Sequence, residues 1–184
     1  FMNGRDRHQR GNRDDVMAPH NTYPCAGDDK WIAIAVGSDS EWAALCRAMG
    51  DPEWTRDAKF ADQYGRWRHS GELDAHLGKW TRNHDHIALA NELQRAGVAA
   101  GPVLDSVELH HDPHLWEWGF FRKIDHREVG ERILPNMPVR MSNVAQLNYS
   151  MPPDLGEHNR DIFGGLLGLS DAEIKILMEQ KVIY

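Results

Sequence analysis

The chain has 184 residues, a length that suits one domain or one domain with an appendage. Hydrophobic residues make up 41% and charged residues 27%, as in ordinary globular proteins, while a mean hydropathy of -0.62 indicates exposed arms. The net charge of -7 argues against nucleic acid as a partner, and no apolar run reaches the length of a membrane span.

The first 22 residues predict an extended arm or linker, because polar residues and glycines are mixed with arginines without any apolar period. The arginines, which suit an anionic ligand, are Arg5, Arg7, Arg10 and Arg13. An arm that docks on a partner or stays mobile is the alternative interpretation. No signal-peptide pattern is visible, so a cytoplasmic location is expected, with Cys25 and Cys46 as reduced thiols.

A buried strand is predicted at residues 30–36, a short apolar run of β-forming residues bounded by glycines. Residues 22–25 can pair with it across a Gly-Asp-Asp turn. A helix follows, with Ser38 and Glu41 at capping-box spacing and Gly50 at its end. Its apolar face recurs at helical spacing: Trp42, Leu45, Cys46 and Met49.

Two more helices are predicted from the same spacing. The first of them has an apolar face formed by Leu73, Leu77 and Trp80, and we expect Trp67 to extend this face backward. The next helix is predicted to begin at an Asn83 cap and to stop at Gly97. Its apolar stripe consists of Ile87, Ala90 and Leu93.

Residues 98–104 predict a short strand, and Ser106 is expected to cap a short helix that runs through Leu109. Helices separated by few strands favour an α+β fold, a small mixed sheet with helices packed on it. We therefore assign residues 23–119 to a small α+β domain that follows the arm of residues 1–22.

Residues 120–155 are predicted to form a β-hairpin and a proline-rich return linker, and residues 156–184 a pair of C-terminal helices. The first of these helices is expected to open at Asp154 or Gly156. Ser170 and Glu173 have the spacing of a second capping box. The last helix carries an apolar face formed by Ile174, Leu177 and Met178.

Few residues suggest chemistry of their own. A metal site is not expected, because the polar run of His110, His111, Asp112 and His114 is more typical of a turn after a helix. The neighbours Glu157 and His158 can be drawn as an acid and base pair, but capping and salt bridges are the favoured interpretation. No nucleophile elbow and no glycine-rich phosphate loop is present in the sequence.

Several stretches, in order along nearly the whole chain, resemble the family III CoA-transferases, the CaiB/BaiF family. The tail contributes LGEHNRD at 155–161 and GLSDAEI at 168–174. The other stretches lie at residues 3–5, 10–13, 18–20, 23–26, 31–35, 96–98, 101–103 and 112–114. The resemblance implies a large nucleotide-fold domain, absent from this chain, and a small α+β domain joined to it by long linkers.

The resemblance also implies a reaction in which CoA passes from an acyl-CoA to a carboxylic acid. An aspartate of the large domain attacks the thioester, so this chain is expected to hold no catalytic residue and to bind no cofactor alone, with coenzyme A as the substrate of the parent family. Ala18, Pro19, His20 and Asn21 correspond to a segment that faces the active site. Some members place a mobile glycine-rich loop there, and this chain lacks those glycines.

These features predict a C-terminal fragment of a CoA-transferase whose catalytic domain is missing. The alternatives are a non-catalytic binding or oligomerisation module derived from the family, and a fragment of an acyl-CoA racemase. The partner is expected to be the missing large domain or a second copy of the chain. A homo-oligomer is predicted because the apolar face of the closing helices needs a covering surface.

Overall fold

The computed structural model describes residues 4, 9, 11–139, 141–144 and 151–184. Most of the predicted arm, including Arg5, Arg7 and Arg10, and part of the return linker lie outside the described residues. The chain divides into two compact units, Phe1–Leu109 and His110–Tyr184. The four-part division inferred from the sequence stays a prediction.

A three-stranded antiparallel sheet lies at the centre of the first unit. Its strands are β1 (His20–Pro24), β2 (Trp31–Ala35) and β3 (Ala99–Val103), in the order β1-β2-β3. The alternation along β2 turns Ile32 and Ile34 into the core, where both are fully buried. The predicted strands and the pairing of the first two are therefore confirmed.

Helices α3 (Ser70–Thr81) and α4 (His86–Arg95) pack against this sheet. The other helices here are α1 (Asp39–Ala48), α2 (Gln63–Arg68) and α5 (Ser106–His111), and no residue of α5 is buried. Two short 3-10 turns, Glu53–Arg56 and Ala58–Phe60, connect α1 to α2. The central core residues share near-zero exposure: Leu45, Phe60, Leu73, Leu77, Leu89 and Leu93.

The first helix, α1, largely follows its prediction. Ser38 caps it by accepting a hydrogen bond from the backbone N–H of Glu41 at 3.2 Å. The Glu41 carboxylate accepts from the N–H of Gly37 at 2.7 Å, so only half of the expected capping box forms. The predicted apolar face is buried at Trp42, Leu45 and Cys46.

The start of α4 corrects the sequence prediction. Asp85, rather than Asn83, is the cap, because its carboxylate accepts from the N–H groups of Ile87 and Ala88 at 3.0 and 2.8 Å. The Asn83 side chain instead donates to the Lys79 carbonyl at the end of α3. The buried face of α4 consists of His86, Leu89, Ala90 and Leu93, whereas Ile87 of the predicted stripe is exposed.

Two further predictions are wrong in detail. Asp105, not Ser106, accepts from the first free N–H groups of α5, those of Val107 and Glu108, at 2.9 Å each. The helix also runs to His111 rather than to Leu109. The chain kinks between α2 and α3 at His69, so Trp67 does not extend the α3 face and is 41% exposed.

The second unit contains the predicted hairpin, α6 (Pro113–Glu117), and the closing helices. The antiparallel strands are β4 (Phe121–His126) and β5 (Gly130–Pro135). A wide π-type helical segment, Arg160–Leu166, starts later than the predicted Asp154 or Gly156, because Gly156 takes a left-handed turn conformation with φ of 77°. The last helix, α7 (Asp171–Glu179), begins with the predicted capping box of Ser170 and Glu173.

The α+β class with helices packed on a small sheet is confirmed. Both described sheets are antiparallel throughout, so the sheet predicted as mixed has a single pairing direction. Within the described part of the chain, every helix is too short or too polar to reach across a bilayer.

Candidate functional site

The candidate segment of residues 18–21 leads directly into the sheet. The Ala18 N–H donates to the Val36 carbonyl at 3.2 Å, and the Val36 N–H donates to the Pro19 carbonyl at 2.8 Å. Ala18 and Pro19 are buried by this pairing, whereas His20 and Asn21 are half-buried. Of the four candidates, His20 and Asn21 therefore offer polar side chains, and the other two shape the backbone.

A buried arginine fixes this segment to the core. Arg66 is 0% exposed and donates to the carbonyls of Ala18 and Phe60, at 3.2 Å each, and to the Asp39 carboxylate at 2.6 Å. Its guanidinium also lies 5.1 Å from the centre of the Trp42 ring. Sequence reasoning missed Arg66, because an arginine in a polar helical run looks like a solvated surface residue.

His20 and Asn21 are tied to the end of the arm by Asn12. The His20 Nδ1 lies 2.5 Å from the Asn12 carbonyl oxygen, a hydrogen bond that needs the ring proton on Nδ1. The Asn12 side chain donates to Asn21 Oδ1 at 3.1 Å and to Thr22 Oγ1 at 3.0 Å. Asn12 of the arm thus orients three polar side chains of β1.

Asp74 of α3 receives two hydrogen bonds from the same strand. The Tyr23 hydroxyl donates to one carboxylate oxygen at 2.6 Å, and the Asn21 side chain donates to the other at 3.1 Å. Burial, followed by the bond to Asp74, raises the pKa of Tyr23 far above its ordinary value. Tyr23 is therefore a neutral donor, and Asp74 serves to hold β1 against α3.

A cavity of about 600 Å³, here called the sheet cavity, lies on the open face of the sheet. Its floor, here called the sheet floor, consists of four small residues that alternate with the buried residues of β2 and β3: Ala33, Ala35, Ala99 and Gly101. Asn12, Arg13, His20 and Thr22 form its polar wall. The space exists because no side chain of the floor extends beyond a methyl group.

A second cavity of about 480 Å³ lies on the other side of the arm, next to the start of α3. Arg13 and His20 line both cavities, and Trp67, Ser70 and Asp74 belong to the second one alone. A Cβ added to Gly71 would lie 3.7 Å from the Arg13 Nη2, which places the guanidinium beside the first turn of α3. Arg13 thus stands between the two cavities.

The histidine-rich run of the second unit has structural partners. The His110 ring stacks on Phe121 with centroids 4.9 Å apart, and Asp112 caps α6 by accepting from the Leu115 N–H at 2.8 Å. The His114 ring lies 6.3 Å from that of Trp118. No group of three or more acidic, histidine or cysteine side chains that could hold a metal ion occurs within residues 11–139, 141–144 and 151–184.

Glu157 acts through hydrogen bonds and ion pairs, as predicted. Its carboxylate accepts from the Asp154 N–H at 2.8 Å and pairs with Arg127 at 2.5 Å. The bond from the Asp154 backbone, and then the Arg127 guanidinium, hold the pKa of Glu157 below its ordinary value. This arrangement joins the hairpin turn to the start of the closing helices within the second unit.

Comparison with known proteins identifies the family. The family model described as CoA-transferase family III matches residues 1–159. The chain is 33% identical to succinyl-CoA–D-citramalate CoA-transferase of Chloroflexus aurantiacus over 182 residues, which are 99% of this chain and 45% of that protein. It is 27% identical to the beta subunit of succinyl-CoA–L-malate CoA-transferase of the same species, over 97% of this chain and 44% of that subunit.

Solved structures give the same result. A CaiB/BaiF family protein from Brucella suis superimposes with a TM-score of 0.75 at 28% identity, over 90% of this chain and 42% of that one. The chain spans less than half the length of these relatives. A family match over most of the sequence and a shared fold lead to one conclusion: the chain belongs to CoA-transferase family III.

Proposed function

We propose that the chain is the C-terminal part of a CoA-transferase, which moves CoA from an acyl-CoA to a carboxylic acid. One observation carries the proposal: nearly the entire chain is similar to CoA-transferases that are more than twice as long. The reactive carboxylate then belongs to the portion of the enzyme that this chain does not contain. This chain contributes the small domain, the linkers and the closing helices.

The hydrogen bonds around β1 favour a structural role for Asp74 rather than a nucleophilic one. Asp74, a carboxylate in the second cavity, accepts hydrogen bonds from both Tyr23 and Asn21. Those bonds stabilise the carboxylate in place and occupy its lone pairs, which disfavours attack on a thioester. Under the proposal, residues 18–21 form a wall that faces the acyl-CoA, with His20 and Asn21 as its polar groups.

The proposed partner is the remaining portion of the enzyme, or a second copy of this chain in a homo-oligomer. Two relatives in Chloroflexus aurantiacus are named as alpha and beta subunits, so assembly from more than one polypeptide has a precedent among the relatives. A cytoplasmic location and CoA as the substrate belong to the same proposal. No cofactor is proposed for this chain alone.

A transfer assay tests the proposal. The chain is mixed with succinyl-CoA and D-citramalate, and the acyl-CoA products are separated by chromatography, with and without the complementary N-terminal portion of the Chloroflexus citramalate enzyme. We expect no transfer by the chain alone and CoA transfer in the mixture. Transfer by the chain alone would overturn the proposal.

One observation favours a non-catalytic module as the second candidate. The first unit has a complete hydrophobic core of its own, so it does not need a large domain in order to fold. If the complementary portion neither binds the chain nor restores transfer, a binding or oligomerisation module becomes the better description.

A further inference from the structure

The sheet cavity differs in charge from the rest of the molecule. The chain carries a net charge of -7, yet the charged or titratable side chains that line this cavity are Arg13 and His20, and its described lining includes no carboxylate. A cation beside the apolar sheet floor attracts negative charge, because the apolar surface screens the field of the cation less than bulk water does. The cavity therefore favours an anionic ligand.

Arg13 has its donors available. Among the described residues, its side chain makes no hydrogen bond and no ion pair, whereas Arg66 has three acceptors and Arg127 pairs with two carboxylates. A guanidinium offers five N–H donors in a fixed planar fork that matches the two oxygens of a carboxylate or phosphate. Arg13 can therefore bind such a group without giving up an existing partner.

His20 stands beside Arg13 in the same wall. Its Nδ1 is engaged with the Asn12 carbonyl, so the ring is held in one orientation and its Nε2 has no partner within the described residues. A ring fixed in this way loses little entropy when a ligand binds to its second nitrogen. Arg13 and His20 thus bring a cation and a fixed polar ring to the lining of the cavity.

The sheet floor limits the shape of the ligand. Its members present only methyl groups or, at Gly101, a hydrogen, and a Cβ added to Gly101 would meet nothing within 4 Å. A flat bed of this kind accepts a slim, unbranched body lying along the strands. A bulky or strongly branched ligand would gain few additional contacts there.

We propose that Arg13 and His20 bind the oxyanion of a ligand whose slim body lies on the sheet floor. The inference rests on the proposed function, because the acceptor acid carries carboxylates and CoA carries phosphates. Both sources share the oxyanion chemistry, and separate binding measurements distinguish them. The proposal assigns the residues that hold the oxyanion, which the transfer reaction alone does not specify.

Calorimetric titration of the full chain tests the site without any transfer reaction. The probes are succinate, adenosine 3′,5′-bisphosphate and, as a neutral control, succinamide. We expect one of the anions to bind, Arg13→Gln to weaken that binding roughly tenfold or more, and succinamide not to bind. Arg56→Gln, a matched change of an exposed arginine outside the cavity, should leave the affinity unchanged.

A second variant tests the floor independently of the charge. Ala33→Leu fills the bed and should also weaken the binding, whereas Val103→Leu, on the same sheet face but outside the cavity lining, should not. Circular dichroism confirms that each variant is folded. The proposal would be overturned if neither anion binds at millimolar concentration. It would also be overturned if Arg13→Gln and Arg56→Gln reduce the affinity for the anion equally.

The two proposals fail in different ways. If an anion binds in an Arg13-dependent way but no complementary portion can activate the chain, the transferase proposal is contradicted. The oxyanion site is then still supported. Restored transfer in the absence of Arg13-dependent binding would contradict the oxyanion site alone.

Discussion

The two units of the chain differ in how they treat their apolar side chains. The first unit buries them around one core between the sheet and helices α1, α3 and α4. In the second unit, only Phe121 and Ile174 are buried among the large apolar residues that the structure describes. Leu155 and Leu166 of that unit are 82% and 76% exposed.

This difference indicates which part of the chain can stand alone. A core of fully buried leucines and isoleucines stabilises the first unit without a partner. The second unit leaves an apolar surface of the kind that a partner commonly covers. Under the proposed function, the missing part of the transferase or a second copy of the chain provides that cover.

Truncation of a core leucine should have the largest effect on stability. Leu77 is 0% exposed, so Leu77→Ala should lower the free energy of unfolding by about 3 kcal/mol through lost burial and an unfilled cavity. Leu167→Ala removes the same atoms from a side chain that is 62% exposed and should cost less than about 0.5 kcal/mol. Urea titration followed by tryptophan fluorescence measures both, and equal losses would refute the contrast between the units.

The buried arginine should have the next effect. Arg66→Met leaves the buried carbonyls of Ala18 and Phe60 without their donor, which should destabilise the chain by about 3 kcal/mol. Arg68→Met, two positions away on an exposed surface, is the matched control and should stay within about 0.5 kcal/mol. A thermal melt of each variant measures the loss. An unchanged melting temperature for Arg66→Met would mean that the hydrogen bonds from Arg66 do not hold the Ala18 segment in place.

The cap of α4 should contribute less. Asp85→Ala removes the acceptor for the Ile87 and Ala88 N–H groups and should cost about 1 kcal/mol. Asn83→Ala should be nearly neutral, because Asn83 makes only an exposed bond to the Lys79 carbonyl. The reverse order of the two losses in urea titrations would restore Asn83 as the cap.

The smallest effect concerns pH. Hydrogen bonds from Lys30 lower the pKa of Asp105 to about 2 and also lower that of Glu108. Because the folded-state pKa values are depressed, this network stabilises the fold above the ordinary carboxyl pKa values of about 4, and the stability is lost as the pH falls toward 2. Unfolding measured from pH 5 to pH 2.5 should show a shallower decline in Lys30→Met than in the unchanged chain, and parallel curves would contradict the assignment.

Strands and helices could be predicted where the pattern of neighbouring residues determines them. The strand at residues 31–35 and the helix after Ser38 follow from β-forming runs, glycine punctuation and i, i+3, i+4 spacing. Asn83 and Asp85 are equally good cap residues by type, so spacing alone could not choose between them. The short helix α6 is not predicted, because its start lies in the polar run that is typical of a turn, whereas Asp112 and Pro113 provide its cap and first residue.

The site depends on contacts that the sequence does not reveal. Residues 18–21 are indicated only by the family resemblance, and their exact role stays a prediction. The sequence marks Arg13 only as one of several arm arginines, and its place between the two cavities depends on the folded positions of β1 and α3. Arg66 reaches a carbonyl 48 positions away, a pairing that no local pattern signals.

The decisive measurement is which polypeptide carries the covalent CoA intermediate. The chain is mixed with the complementary N-terminal portion of a family enzyme and with acyl-CoA, and the intact mass of each polypeptide is measured after rapid quenching. We expect a CoA adduct on the complementary polypeptide and an unmodified mass for this chain. A CoA adduct on this chain would contradict the claim that its reactive carboxylate lies elsewhere.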